Sequence, residues 1–343
     1  MIPTIAPHPW SIQLEMTEGC NRRCSFCGIH SLYREREDEK YKFMTPELAE
    51  QLAKNLSKWF YGKKGKLLEF ALQGEPLLNR KAGEIIMAFR TYYNNAQLMI
   101  TSNLDPLRLG VGFSASKIFD LFKCGLNILV CDYYGEKFDM TYEQFFDEIK
   151  IVGDIIGVPV QDFYDDHPKV WSFDSPNKQR IVVIDNTATR DAHRIQNNQA
   201  GNTKPELIQI NLLNKMQLPR MTRCQQPFRE MSIKHDGAIP LCCMDWSREH
   251  IIGKFPEDGT LEQIWSSLHF RSVRNLLFNK RRDLLSPCNR CDYRGHRVGL
   301  IKPPDMEDYN ILNSADFVKQ NQEINIKKYG NKYANIPFVY PNP

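Results

Sequence analysis

SIQLEMTEGCNRRCSFC, residues 11–27, joins a segment of alternating polarity to a cysteine-rich loop. Residues 11–16 alternate polar and apolar side chains, which predicts a β-strand with one face in the core. Three cysteines with the spacing C-x3-C-x2-C follow this strand: Cys20, Cys24 and Cys27. Three thiols so close together in a polar loop indicate a metal centre rather than a packed core.

The composition of the chain is that of a folded protein. Charged residues make up 25% and apolar residues 42% of the 343 residues, which excludes wholesale disorder. A net charge of +4 is too small to indicate a nucleic-acid partner by itself. The apolar stretches are too short to cross a bilayer and no signal peptide is visible, so we expect a cytoplasmic protein without a membrane partner. In that compartment, ten cysteines are more often metal ligands or catalytic groups than disulfides.

Strands and helices are predicted to alternate over the first two hundred residues. Beyond residue 16, strands are predicted at 67–72, 97–101, 127–131 and 180–185, and helices at 46–59, 80–93, 115–123 and 141–155. This alternation predicts an α/β fold with a parallel sheet, in either a partly closed barrel or an open doubly wound sheet.

The pattern changes after residue 221. Residues 231–243 predict a hairpin with Asp236-Gly237 as its turn, and residues 261–278 predict one helix that Thr260 caps. We therefore expect three parts: an α/β domain over 1–221, a small α+β domain over 222–300, and an extended tail over 301–343.

The first cysteine set suits an iron–sulfur cluster. Three thiolates can each hold one iron of a [4Fe–4S] cube and leave the fourth iron open to a substrate or cofactor. Zinc usually takes four protein ligands in a structural site, and His30 is a candidate for the fourth.

The C-x3-C-x2-C motif after the first strand, with Phe26 before the last cysteine, resembles that of the radical S-adenosylmethionine (SAM) superfamily. The resemblance implies a partial (β/α)6 TIM-type barrel. It also implies that SAM binds the open iron and is cleaved by an electron from the cluster. The resulting 5′-deoxyadenosyl radical then takes hydrogen from a substrate.

Further residues resemble the SAM-binding motifs of that family. Gln73-Gly74-Glu75-Pro76 is similar to the GGEP motif that holds the SAM amino group, with Gln73 in place of the first glycine. The resemblance assigns the remaining SAM contacts to residues near later strand ends: Ser102 and Asn103 near the nucleoside, Asp132 near the ribose, and Arg194 (with Arg190) at the methionine carboxylate.

A second cysteine set has the spacing C-x17-C-x45-C-x2-C: Cys224, Cys242, Cys288 and Cys291. The spacing alone fits zinc and a [4Fe–4S] cluster equally well. The run from Cys224 to Cys291 resembles the SPASM/twitch extension of radical SAM enzymes, which implies a twitch domain with one auxiliary [4Fe–4S] cluster. Cys243 is the alternative to Cys242 as a ligand.

The resemblance implies a small-molecule or peptide substrate that is oxidised or rearranged, and a reducing flavodoxin- or ferredoxin-type electron donor. Asp185 and Asp245 are the candidate catalytic bases. The first cluster motif begins at residue 20, which argues against the N-terminal peptide-binding domain of many peptide maturases. Two basic runs, at 63–66 and 279–282, keep a nucleotide or nucleic-acid substrate open as an alternative. A zinc-stabilised binding protein without enzymatic activity is the more remote alternative.

Overall fold

A computed structural model describes residues 8–24, 27–34, 41–62, 66–110, 112–135, 140–163, 178–186, 199–202 and 224–293. Predictions for Phe26, Arg190, Arg194, the boundary at 221/222 and the tail over 301–343 lie outside these ranges. Within them, no helix combines the length and the apolar composition that a membrane crossing requires.

Thirteen strands occur in the described ranges: β1 (Ser11–Leu14), β2 (Thr17–Glu18), β3 (Lys42–Phe43), β4 (Leu67–Glu69), β5 (Gln97–Ser102), β6 (Arg108–Leu109), β7 (Gly112–Phe113), β8 (Ile128–Tyr133), β9 (Val160–Asp162), β10 (Arg180–Asp185), β11 (Glu230–Ile233), β12 (Ala238–Pro240) and β13 (Ile251–Lys254). Seven form one sheet in the order β11-β1-β4-β5-β8-β10-β9. Every pairing in it is parallel. The other six form three small antiparallel pairs, β2 with β3, β6 with β7, and β12 with β13.

The described helices are α1 (Ile29–Arg34), α2 (Pro46–Trp59), α3 (Ala82–Tyr92), α4 (Ala115–Lys123), α5 (Tyr142–Ile156), α6 (Gln226–Arg229), α7 (Leu261–Trp265) and α8 (Leu268–Phe278). Local sequence determines several of their ends. The Thr45 hydroxyl accepts a hydrogen bond from Leu48 N at 3.2 Å and caps α2. Thr141 and Gln144 form a capping box at the start of α5. The four helices predicted in the first domain are confirmed.

The large sheet has two different faces. The outer face packs against the helices through apolar side chains, such as Ile12 and Leu14 of β1. One half of the inner face is apolar: Leu67, Met99, Ile128, Val130, Val182 and Ile184, with Phe163 beside them. The other half is polar: the buried Gln13, Glu69 and Ser232 and the half-buried Thr101, which are joined by hydrogen bonds. An α/β fold of the partial TIM-barrel type is therefore confirmed.

Two strands of the sheet were not predicted. β9 is short and only half-buried, and it lies at the sheet edge outside β10, so its sequence carries little apolar signal. β11 belongs to the segment predicted as a hairpin, and it pairs with β1 instead.

The predicted turn of that hairpin is present, but its two arms separate. Lys234 N donates to Ala238 O at 2.8 Å across the turn. Gly237 has a φ of +84°, and a Cβ there would lie 2.2 Å from Phe255 O, so glycine is required. The second arm, β12, pairs with β13.

The single helix predicted over 261–278 is two helices, because Ser267 starts a new one. Its hydroxyl accepts from Phe270 N at 3.2 Å and caps α8. The buried Arg274 side chain stabilises the break by donating to Trp265 O at 2.7 Å, with its guanidinium against the ring of Phe270.

Two histidines face each other between β13 and α8. His250 Nε2 lies 2.9 Å from His269 Nε2, and His269 Nδ1 lies 3.2 Å from Ile252 O. Burial lowers the pKa of His269 below its ordinary value of 6.5. The unfolded state therefore binds a proton at His269 more readily than the folded state does. The contribution of His269 to the free energy of unfolding is complete above pH 6.5 and is lost as the pH falls below this value.

We expect the midpoint temperature of thermal unfolding to decrease as the pH is lowered from 7.5 to 5.5. The decrease should be smaller in His269→Gln. The reason is that the variant has no buried imidazole that must stay neutral. Differential scanning fluorimetry across this range under anaerobic conditions measures it. An identical pH slope in wild type and variant would contradict this assignment.

Candidate functional site

The cysteine loop lies against the Gln73–Pro76 turn through direct backbone contact. Gly19 and Gly74 form an isolated parallel bridge, and Glu75 N donates to Gly19 O at 3.0 Å. A Cβ on Gly74 would lie 2.0 Å from Thr17 O, closer than any side chain tolerates. Only glycine therefore lets the turn approach the start of the cysteine loop this closely.

Glu75 connects this turn to the end of β5. Its buried carboxylate accepts hydrogen bonds from Leu77 N at 3.0 Å, Ser102 Oγ at 2.7 Å and Asn103 N at 2.9 Å. Burial raises the pKa of Glu75 to about 7, although these hydrogen bonds favour the charged form. The structure thus brings together two motifs that the sequence separates by some thirty residues.

Asn103 extends the connection to the cysteines. Its side-chain Nδ2 lies 3.6 Å from Cys20 Sγ and 3.0 Å from Asn21 Oδ1. Its Oδ1 accepts from Asp105 N at 3.0 Å, which fixes the side chain from the other end. Asn103 is therefore oriented towards the cysteine loop by its own turn.

An ion pair that the sequence analysis missed, between the buried Arg22 and the partly exposed Asp105, anchors the loop. Arg22 lies between the first two cysteines, and its Nε and Nη2 donate to the two Asp105 oxygens at 2.7 and 2.6 Å. Asn21 Nδ2 also donates to Asp105, at 2.8 Å. A bidentate arginine–carboxylate pair fixes both distance and orientation. No spacing rule could identify this pair, because the two residues are 83 positions apart.

Asp132, at the end of β8, is held by two donors. Tyr134 Oη donates to Oδ2 and Asn186 Nδ2 donates to Oδ1, both at 2.8 Å. The Asp132 charge also acts on Glu75 and helps to raise its pKa. Asp132 therefore belongs to the same group of strand-end residues as Glu75.

The three thiols of the first set suit metal ligands more than free nucleophiles. Burial raises the pKa of Cys20 and of Cys27 to about 12, so both are protonated unless a metal replaces the proton. His30 Nε2 lies 3.1 Å from Cys24 O, so that nitrogen carries a hydrogen and donates to the carbonyl. This contact does not favour His30 Nε2 as a zinc ligand.

The structure brings the second cysteine set together. The pKa of the Cys242 thiol is raised well above its ordinary value, first by burial and then by electrostatic interactions with the adjacent Cys243 and with the other three cysteines of the set: Cys288, Cys224 and Cys291. Cys243 Sγ instead accepts a hydrogen bond from Gln226 Nε2 at 3.6 Å. This geometry favours Cys242 over Cys243 as the ligand.

A buried arginine lies beside these cysteines. Arg282 is 1% exposed, and its charge opposes the burial that raises the pKa values of Cys224, Cys288 and Cys291. Its Nη1 donates to Tyr293 O at 2.9 Å. The last residue of the basic run 279–282 therefore compensates negative charge at this site rather than contacting a ligand in solvent.

A chain of buried hydrogen bonds connects the two cysteine sites. Lys234 Nζ donates to Glu15 Oε1 at 3.1 Å and also to Gln73 Oε1. Gln73 Nε2 in turn donates to Cys243 O at 2.7 Å. All three side chains, Glu15, Gln73 and Lys234, are fully buried. The glutamine that departs from the GGEP pattern thus links the turn to the loop of the second cysteine set.

The two candidate bases lie in different places: Asp185 is on the sheet, and Asp245 is beside the second cysteine set, where its charge acts on Cys288. Asp185 shares the outer face of β10 with Ile181 and Val183, next to Tyr133, rather than the inner face with Val182. Asp245 is buried, and its two oxygens accept from Glu249 N and His250 N, both at 2.9 Å. In this arrangement Asp245 holds the loop after Cys242 in shape.

Two family models match the chain. Residues 14–190 match the family model described as "Radical SAM superfamily", and residues 224–292 match the SPASM model, described as "Iron-sulfur cluster-binding domain". No curated protein sequence matches the chain.

Two solved structures share the fold at low identity, and a third is less similar. BtrN in complex with AdoMet and 2-DOIA is 18% identical with a TM-score of 0.57, covering 84% of this chain and 94% of BtrN. BtrN in an open conformation is 17% identical with a TM-score of 0.53, covering 83% and 93%. The enzyme anSMEcpe with bound AdoMet is 13% identical with a TM-score of 0.47, covering 93% of each chain.

Gly74→Ala should destabilise the protein by about 2 kcal/mol or more, because its Cβ meets backbone that cannot move aside. Chemical unfolding measures this. Gly112→Ala, where an added Cβ has open space, is the matched control and should change stability by less than about 0.5 kcal/mol. Equal stabilities of the two variants would contradict the close contact.

Asp105→Asn should reduce the iron retained at the first cysteine set several-fold, because Arg22 loses its bidentate charged partner. Iron content after brief exposure to a chelator measures the loss. Asp120→Asn is the control, because it removes the same charge from an exposed ion pair, in which Asp120 Oδ1 lies 4.0 Å from Lys123 Nζ. Equal retention of iron in both variants would show that the Arg22–Asp105 pair does not anchor the loop.

Proposed function

This chain belongs to the radical SAM superfamily and carries an iron–sulfur cluster-binding SPASM domain, and we propose that it oxidises or rearranges a small-molecule or peptide substrate. The observation that carries the proposal is the contact of Gly19 with Gly74. It joins the three-cysteine loop to the turn whose Glu75 also binds the end of β5.

The residues of the chain fit the cofactors of this family. Cys20, Cys24 and Cys27 would hold a [4Fe–4S] cluster, and the open iron would bind SAM. Cys224, Cys242, Cys288 and Cys291 would hold one auxiliary [4Fe–4S] cluster. Four cysteine ligands leave no open iron there, which favours electron transfer over substrate binding at that site.

When loaded and reduced, the first cluster supplies the electron that splits SAM into methionine and a 5′-deoxyadenosyl radical, which takes hydrogen from the substrate. The chain itself orients the reactants. Glu75, with Gly74 and Pro76, would receive the SAM ammonium, because a carboxylate raised to a pKa of about 7 gains from a nearby positive charge. Ser102, Asn103 and Asp132 would position the nucleoside, and Arg194 would bind the methionine carboxylate.

A polar small molecule is the substrate class that we favour. The inner face of the sheet combines an apolar half with a buried polar half around Glu69, which suits a ligand with several polar groups. BtrN, which matches over 94% of its length, was solved with 2-DOIA. The burial of Arg282 removes one residue from the basic runs that suggested a nucleotide.

Electrons would come from a reducing flavodoxin- or ferredoxin-type donor. An auxiliary cluster held by Cys224, Cys242, Cys288 and Cys291 would supply an electron acceptor for a substrate oxidation. Arg282 supports this role, because a fixed positive charge stabilises the reduced, more negative cluster.

Anaerobically purified protein should contain about eight irons per chain, as two [4Fe–4S] clusters require. Upon reduction it should form 5′-deoxyadenosine from SAM. Replacing Cys20, Cys24 and Cys27 together by Ala should leave about four irons and abolish SAM cleavage.

Cys242→Ala should lose the auxiliary iron, whereas the matched variant Cys243→Ala should retain it. Wild-type protein that contains zinc instead of iron and does not cleave SAM would refute the proposed function. Loss of iron in Cys243→Ala instead of Cys242→Ala would exchange the two ligand assignments.

A further inference from the structure

The loops of the two cysteine sets meet at one tryptophan. Trp246 lies four residues after Cys242, and its indole packs against Gly28, the residue directly after Cys27. A Cβ on Gly28 would lie 2.6 Å from Trp246 Nε1. Since a carbon–carbon bond is about 1.5 Å long, Nε1 lies within about 4 Å of Gly28 Cα.

Hydrogen bonds hold the backbone around Trp246 in this place. Trp246 N donates to Met244 O at 3.0 Å, and Asp245 N donates to Cys242 O at 3.1 Å. Asn202 braces the same loop, with its Nδ2 3.4 Å from Met244 O and its Oδ1 accepting from Ser247 Oγ at 3.3 Å. The loop that carries the indole is therefore fixed beside Gly28.

That N–H is buried, and it has no acceptor among the described residues. Trp246 is 6% exposed, and its Nε1 makes no hydrogen bond there. The nearby Gln199 Oε1 accepts from Gly28 N at 2.7 Å instead. Buried donors in native proteins usually have a partner, and this one lies beside Gly28, directly after the cluster ligand Cys27. The unpaired donor and its position together indicate an acceptor that arrives with the loaded site.

We propose that the Trp246 indole N–H donates a hydrogen bond to a sulfur of the cluster at Cys20, Cys24 and Cys27, and thereby raises its reduction potential. The inference rests on the proposed function. Cluster sulfides and thiolates accept hydrogen bonds, and a donor favours the reduced cluster because that state carries more negative charge. Trp246 lies in the loop after Cys242 and would adjust the reduction potential of the first cluster.

Trp246→Phe tests the proposal, because it keeps an aromatic ring and removes the N–H. In the full chain with both clusters loaded and without SAM, EPR-monitored titration should give a more negative midpoint for the first cluster. We expect a threefold to tenfold fall in the ratio of reduced to oxidised cluster at a fixed potential. This corresponds to about 28 to 59 mV at 59 mV per tenfold change.

Trp59→Phe is the matched control. Trp59 is also 6% exposed with an Nε1 that has no partner among the described residues, but it packs in the outer layer against Phe60 and Trp265. Its removal should leave both potentials unchanged. In a background without Cys20, Cys24 and Cys27, Trp246→Phe should leave the potential of the auxiliary cluster unchanged.

A second readout does not depend on the variant. In wild-type protein labelled with [15N-indole]tryptophan, ENDOR of the reduced first cluster should reveal a 15N coupling. An unchanged first-cluster potential in fully loaded Trp246→Phe, or no coupling in wild type, would overturn the proposal. A potential shift that occurs only with SAM bound would also overturn it, since the donor would then serve SAM. Wild-type protein that loads no iron would refute the proposed function instead.

Discussion

The backbone contact between Gly19 and Gly74 is the constraint on which the first site depends. It brings the cysteine loop within hydrogen-bonding distance of the turn that carries Glu75. Glu75 then joins this turn to the end of β5, and Asn103 leads back from that strand to Cys20. The contacts form a closed circuit, so a displacement at one point would disturb the others. A ring of short contacts of this kind pre-organises a site before any cofactor binds.

Buried charge connects the two cysteine sites. A fully buried lysine is costly unless a counterion and further hydrogen bonds compensate it, and Lys234 has Glu15 and Gln73 in these roles. Because Gln73 also donates to Cys243 O, the ammonium braces the turn of the first site and the loop of the second together. Trp246 makes a second connection by packing on Gly28. The sites are therefore coupled through two independent sets of contacts.

The two faces of the large sheet have different tasks. The outer face packs on the helices and stabilises the domain, and Asp185 lies on this side despite its position at a strand end. The inner face carries the buried polar groups around Glu69, and it leads to the strand ends where Glu75, Asn103 and Asp132 gather. A carboxylate at a strand end is therefore not by itself a candidate base, since a shift of one residue along a strand reverses the face.

The sequence alone determined the features that depend on neighbouring residues. The spacing of the first cysteine set, the alternation in β1, and the helix starts after Thr45 and Thr141 each depend on residues a few positions apart. The predicted strand and the two predicted helices agree with the structure. The tertiary structure alone decided what depends on distant segments. The pairing of β11 with β1, the Arg22–Asp105 ion pair across 83 positions, and the Lys234–Glu15 contact across 219 have no local signal. They form because chain packing brings these groups together out of water, where charged groups need partners and each strand needs a neighbour.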